Sequence, residues 1–324
     1  MKRPRTRAGL AAGAIGFLLA SLLAACSPRT NATALPPVRA DTALARGAVT
    51  DHVIVISMDG FRPDAIARIR PRTIRRLARE GSHTLEARTI VPSRTLPGHM
   101  SMVSGEPPDV HGVVNNEDPD ETRWVVDVPT IFHLAHERGF RTAAFFSKTK
   151  FRQIYEPGSV DHAEKPTNWL GLRPSWTTAG RVERHLARER PQLVFIHFAE
   201  PDYVGHVFGW MSPPYRWAVG WTDRALARVL AAADRAYGKG NYTVILTADH
   251  GGSRFTHGSE KAVDMTIPWI AWGKGVRGGE VLPAGVRTMD TAATAMWLLG
   301  IPRPGDWVGA PVEAAFHAPA SGLR

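Results

Sequence analysis

Three aspartates in this chain stand just past runs of apolar residues, and histidines accompany two of them. Val53-Ile54-Val55-Ile56-Ser57-Met58 leads into Asp59-Gly60. The run Leu193–Ala199 leads into Glu200-Pro201-Asp202, with Gly205-His206 one helical turn further on. The run Thr243–Ala248 leads into Asp249-His250-Gly251-Gly252, and His257-Gly258 follows shortly after. Carboxylates, imidazoles and an oxygen nucleophile form a hard-to-borderline donor set that suits Zn²⁺. Each piece alone has an ordinary reading. An Asp after a strand is commonly a turn residue, and Asp202 with His206 is also the spacing of a surface pair on a helix. The joint placement at the ends of three runs points instead to a shared metal centre.

The candidate nucleophile lies in Pro92-Ser93-Arg94-Thr95-Leu96-Pro97-Gly98-His99. A strand over Leu85–Val91 is expected to feed a proline-containing turn and then a helix, with Thr95 at or near the helix N-terminus. Backbone N–H groups and the helix dipole there favour a phosphoryl oxygen. A threonine hydroxyl attacks poorly unless its proton is removed, and direct metal coordination does this. The simpler reading of Thr95 is a helix N-cap.

Strand-like runs also occur at Thr142–Ser147 and Ile267–Trp272. Helical patterns fall at 64–80 and near 130–138, 177–189, 215–236 and 289–299. The run at 53–58 has no polar alternation, as expected for a strand buried on both faces. Strands alternating with helices predict an α/β fold: a three-layer sandwich whose mostly parallel central sheet carries helices on both faces. In such sheets, ligands bind beyond the carboxyl ends of the strands.

The chain has 324 residues, 44% of them hydrophobic, and a formal charge of +10. A basic stretch to Arg7 precedes an apolar run to Ala25, the layout of a secretory signal. The chain's single cysteine, Cys26, closes Leu23-Ala24-Ala25-Cys26. This resembles a bacterial lipoprotein signal, in which the cysteine is lipidated. The expected organisation is a signal at 1–25, a flexible tether at 26–50, a two-metal domain at 51–316 and a tail at 317–324. An exported protein anchored to a bacterial membrane by lipid is therefore expected. Without Lys2, Arg3, Arg5 and Arg7 the charge falls from +10 to about +6. That mild field suits anionic substrates, and no basic stripe or nucleic-acid-binding module is recognisable.

Taken in order, Met58-Asp59-Gly60, Thr95 through His99, Ser104-Gly105, His111-Gly112, Asn115-Asn116, Glu200 through His206, Thr247 through Gly251 and His257-Gly258 resemble the type I phosphodiesterase/nucleotide pyrophosphatase family of the alkaline phosphatase superfamily. The resemblance implies two zinc ions, with manganese or a mixed pair as alternatives. Asp59, Asp249 and His250 would hold one, with the Thr95 oxygen completing it. Asp202, His206 and His257 would hold the other. Asn116 would donate to a non-bridging phosphoryl oxygen, and turnover would pass through a phosphothreonine. Members of the same superfamily that cleave monoesters carry a Lys-x-Arg pair at a place comparable to Ser147-Lys148-Thr149-Lys150. Lys148 and Lys150 are accordingly candidates for binding a dianionic phosphate. A phosphomonoesterase and a phosphoryl transferase are the alternative activities. Trp169, Trp176, Trp210, Trp217 and Trp221 offer an aromatic wall for a substrate, or ordinary packing.

Overall fold

The computed structural model describes residues 47–117, 126, 128–168 and 171–318. The expected signal, Cys26, most of the tether, Trp169 and the end of the tail lie outside the described residues. No described helix is long and apolar enough to cross a membrane.

The strands are β1 (Val53–Met58), β2 (Ser82–Arg88), β3 (Thr142–Phe145), β4 (His162–Glu164), β5 (Leu193–Phe198), β6 (Thr243–Thr247), β7 (Thr266–Gly273) and β8 (Glu280–Val281). They form one sheet in the order β4-β3-β5-β1-β6-β7-β2-β8. The five strands from β4 to β6 are parallel. β7 runs antiparallel to both β6 and β2, and β8 runs parallel to β2. The helices are α1 (Asp64–Ile69), α2 (Arg72–Glu80), α3 (Thr95–Ser104), α4 (Pro108–His111), α5 (Ile131–Glu137), α6 (Ser175–Glu189), α7 (Glu200–Phe208), α8 (Pro213–Tyr237), α9 (Ala262–Met265) and α10 (Asp290–Leu298). One layer packs α1, α2, α6 and α7 against α8, and the other packs α3, α4, α5 and α10 together.

β1, β5 and β6 are buried at every position, as their unbroken apolar runs predict. β1 lies between the other two, with Ser57 opposite both His197 and Thr247. Three parallel neighbours therefore end level with one another.

Two local expectations are corrected. The single helix expected at 64–80 is two helices, because Arg70 takes a left-handed φ of 58° before Pro71. Proline has no N–H to continue a helix and its ring crowds the preceding turn. The strand expected at 85–91 sits earlier, at 82–88, where it can pair with β7.

Because Pro71 cannot cap α2, the cap comes from another helix. Asp223 on α8 is buried, and its carboxylate accepts the N–H groups of Thr73 at 3.0 Å and Ile74 at 2.8 Å. Asp223→Ala leaves two buried donors unpaired and is expected to cost about 2 kcal/mol. Urea denaturation checks this; an unchanged midpoint would contradict the cap's role.

Candidate active site

The level strand ends bring the three aspartates to one rim. Asp59, Asp249 and His250 form one potential metal-binding group, and Asp202, His206 and His257 form a second. Asp202 and His206 stand one turn apart on α7, with His206 Nε2 3.3 Å from Asp202 Oδ1. His257 Nε2 lies 3.6 Å from the same oxygen. In the other group, His250 Nε2 is 3.4 Å from Asp59 Oδ1 and 3.2 Å from Asp249 Oδ2. The groups adjoin: the His250 and His257 rings stack with centroids 3.6 Å apart.

Two observations fit these residues to divalent ions. First, Asp59 Oδ1, Asp202 Oδ1 and Asp249 Oδ2 are buried with no hydrogen-bond partner. Buried carboxylate oxygens are costly unless something positive meets them. Second, each candidate histidine turns Nδ1 to a backbone carbonyl: His250 to Gly251 at 2.8 Å, His206 to Phe255 at 3.0 Å and His257 to Ser93 at 2.8 Å. A carbonyl only accepts, so Nδ1 carries the proton and the Nε2 lone pair faces the cradle, as metal ligation requires.

The surroundings set the charge states. Burial works to raise Asp59, but the Lys148 ammonium and the His197 hydrogen bond hold its carboxyl well below the usual range. Burial, then the charges of Asp59 and Asp202, push Asp249 well above it. Burial lowers His257 to about 4, helped by neighbouring His250, so its ring is neutral near neutrality.

Thr95 opens α3, preceded by Arg94 as the cap residue. Its Oγ1 lies 3.3 Å from His250 Nε2. The helix end offers an anion fewer donors than expected. Pro97 has no N–H, and the Leu96 N–H donates to Asn116 Oδ1 at 2.9 Å. That leaves the Thr95 N–H from the first turn. With its oxygen occupied, Asn116 has its amide nitrogen to donate.

Lys148 is not turned toward open space. Its Nζ donates to Asp59 Oδ2 at 2.6 Å and to Asp202 Oδ2 at 2.5 Å. Burial opposes its charge, but Asp202 and Asp59 outweigh this and raise the ammonium above its ordinary range. Lys150 is half-buried nearby, and burial together with the Lys148 charge lowers it.

Sequence reasoning passed over His197, which lies on β5 and is fully buried. Its Nε2 lies 3.0 Å from Asp59 Oδ2, and Nδ1 accepts the Ser147 N–H. The signal was available as a polar residue inside the apolar run Leu193–Phe198. His99 also reaches into the site. Its Nδ1 is 2.7 Å from the Thr95 carbonyl oxygen and 3.3 Å from Asp249 Oδ2, while Nε2 meets Ser57 Oγ at 2.7 Å. Of the described tryptophans, Trp210 borders the second group, with its ring 5.1 Å from that of His206. Trp217 stacks on Trp221, and Trp221 meets Trp176 across α6 and α8. Those three meet one another on α6 and α8, where Trp176 and Trp217 stay exposed.

Comparison with known proteins decides the relationship. The profile "Type I phosphodiesterase / nucleotide pyrophosphatase" matches residues 53–282. The chain belongs to this family. A venom phosphodiesterase of Macrovipera lebetinus is 28% identical over 225 residues, covering 61% of this chain and 25% of its own. A bis(5'-adenosyl)-triphosphatase of Xenopus laevis is 26% identical over 220 residues, covering 62% of this chain and 47% of its own. The chain thus spans between a quarter and a half of the length of these curated relatives. Murine ectonucleotide pyrophosphatase/phosphodiesterase 5 shares the fold at a TM-score of 0.72 and 16% identity, covering 82% of this chain and 100% of its own. The type I phosphodiesterase fold seen here is alkaline-phosphatase-like.

Within this family member, Trp210 wedges the second group in place. Its Nε1–H donates to the Gly60 carbonyl at 2.9 Å. A Cβ at Gly205 would stand 2.7 Å from the indole. Gly205→Ala therefore pushes Trp210 aside and shifts His206 next to it. Overpacking of this kind is expected to weaken metal binding by Asp202, His206 and His257 at least about tenfold. Zinc titration calorimetry should show binding weakened relative to wild type; unchanged affinity would refute the wedge.

Proposed function

We propose that this chain hydrolyses phosphoric diesters and nucleotide pyrophosphates, with Thr95 as nucleophile and two zinc ions as cofactors. The observation that carries the reading is the meeting of both Asp/His groups beside Thr95 Oγ1 at the start of α3. Asp59, Asp249 and His250 would hold one ion, and Asp202, His206 and His257 the other. Divalent metal, when bound, supplies Lewis-acid activation of the hydroxyl and offsets charge on the phosphoryl and leaving oxygens.

The chain's own residues do the rest. Fixing Thr95 on a helix with its carbonyl tied to His99 orients the hydroxyl for in-line attack. The Thr95 oxygen bonds to phosphorus as the bond to the leaving oxygen breaks, and the hydroxyl proton ends on the departing alcohol or phosphate. Water then displaces Thr95 from the phosphothreonine, releasing the phosphomonoester and restoring the hydroxyl. The Asn116 amide and the Thr95 N–H would donate to the equatorial oxygens.

The position of Lys148 favours diesters over monoesters. Its ammonium is taken up by Asp59 and Asp202, so of the Lys148/Lys150 pair Lys150 alone is left to meet a second phosphate charge. The mild positive charge suits an anionic substrate. Export and lipid attachment at Cys26 belong to the same proposal, supported by the segment Leu23–Cys26.

Thr95→Ala is expected to lower kcat at least about 1,000-fold while keeping two zinc ions bound. Acid quench of the wild-type enzyme should leave a phosphoryl group on the peptide containing Thr95. Substantial turnover by the variant would sink the covalent route. Rates on bis(p-nitrophenyl) phosphate should exceed those on p-nitrophenyl phosphate, and the reverse order would favour the monoesterase reading.

A further inference from the structure

Asp59, Asp202 and Asp249 are buried side chains crowded into one cradle. Three such carboxylates repel one another strongly where water cannot screen them. Their oxygens divide into two sets. The inner set, Asp59 Oδ1, Asp202 Oδ1 and Asp249 Oδ2, has no hydrogen-bond partner and faces the histidine Nε2 atoms. The outer set is fully engaged. Asp249 Oδ1 accepts the Gly60 N–H at 3.1 Å. Asp59 Oδ2 meets His197 and Lys148, and Asp202 Oδ2 meets Lys148.

Lys148 is thus the cation that joins one Asp/His group to the other. It arrives from the segment after β3, an element that supplies none of the six Asp and His residues. Its backbone is extended and is bridged to Leu172, which fixes where the side chain enters. Because it takes only outer oxygens, it does not compete with metal for ligand atoms. Its effect on a bound ion is one of charge.

We infer that Lys148 is a resident counter-cation: it lets the chain fold with the metal cradle empty, and it holds down the affinity for the ions that later fill it. This rests on the two-metal reading above. Two effects oppose each other in the loaded protein. Lys148 orders Asp59 and Asp202, which favours loading, and its positive charge repels a divalent ion a few ångströms away, which disfavours it. The second effect dominates, because Asp59 keeps His197 and Asp202 keeps its helix as independent supports. A doubly charged ion in a dry site also feels a fixed ammonium strongly.

The test uses the whole chain and reads stability and metal affinity rather than turnover. Lys148→Met keeps the stem and removes the charge. In chelator, its thermal midpoint should fall by roughly 5–15 °C below wild type. With saturating zinc the gap should close. Competition against a chromophoric chelator should show zinc held at least about tenfold more tightly than by wild type. Adding Asp202→Asn to Lys148→Met removes one charge of the opposite sign and should restore much of the metal-free midpoint. If Lys148→Met does not fold alone, refolding it in zinc should recover the native circular dichroism, and chelation should then unfold it. A metal-free midpoint equal to wild type, weaker zinc binding, or failure to fold even with zinc would overturn the inference. Wild-type protein that binds no zinc at all would instead overturn the two-metal reading, while the metal-free midpoints still report on Lys148.

Discussion

The whole site depends on three parallel neighbours, β5, β1 and β6, ending at the same level. Their register leaves Asp59 and Asp249 at one rim and starts α7, with Asp202, beside them. Asp59 and Asp249 then stand within two residues of a fully buried strand, and Asp202 within four. Burial on both faces gives the rigidity, since side chains packed at crystal-like density cannot drift by an ångström without cost. That precision is what a metal cradle demands. The close approach has its own steric condition. Gly60 takes a φ of 67°, and a Cβ there would stand 2.9 Å from the Asp202 backbone.

Around those strand ends, the polar groups are divided by task. Backbone carbonyls take the Nδ1 protons of His206, His250 and His257, and so fix which nitrogen looks inward. Gly60 N–H, His197 and Lys148 take the outer carboxylate oxygens. What remains unpaired is an inner set of acceptors with a hydroxyl beside them. His99 connects this set to α3, touching Thr95, Asp249 and Ser57 from one buried ring. Helix α3 and the sheet are therefore positioned by the same residues that border the two Asp/His groups.

Membership of the type I phosphodiesterase family accounts for the shared plan, and the share of length covered marks the difference. The chain fits within a quarter to a half of the curated relatives it matches. Whatever their remaining length contributes, the strand-end aspartates, the histidines and the threonine are all held within residues 53–282 here.

The sequence by itself determined the strand-and-helix alternation, the placement of three aspartates past apolar runs, and a threonine poised to open a helix. These were legible because burial on both faces leaves an unbroken apolar run and because motif order survives in the linear chain. The helical stretch expected at 64–80 ran through Pro71, and the break there came from the structure. Only the tertiary structure decided the rest. Lys148, which reads as a phosphate-facing lysine, lies buried between Asp59 and Asp202, because β3 pairs beside β5. His197 and His99 became part of the site through contacts between residues 138 and 150 or so positions apart, which no local pattern encodes. Asp223 caps a helix through an N–H 150 positions earlier. Local periodicity reports what a residue's own segment buries. Which charges then meet is fixed by strand order and register, and those are properties of the assembled sheet.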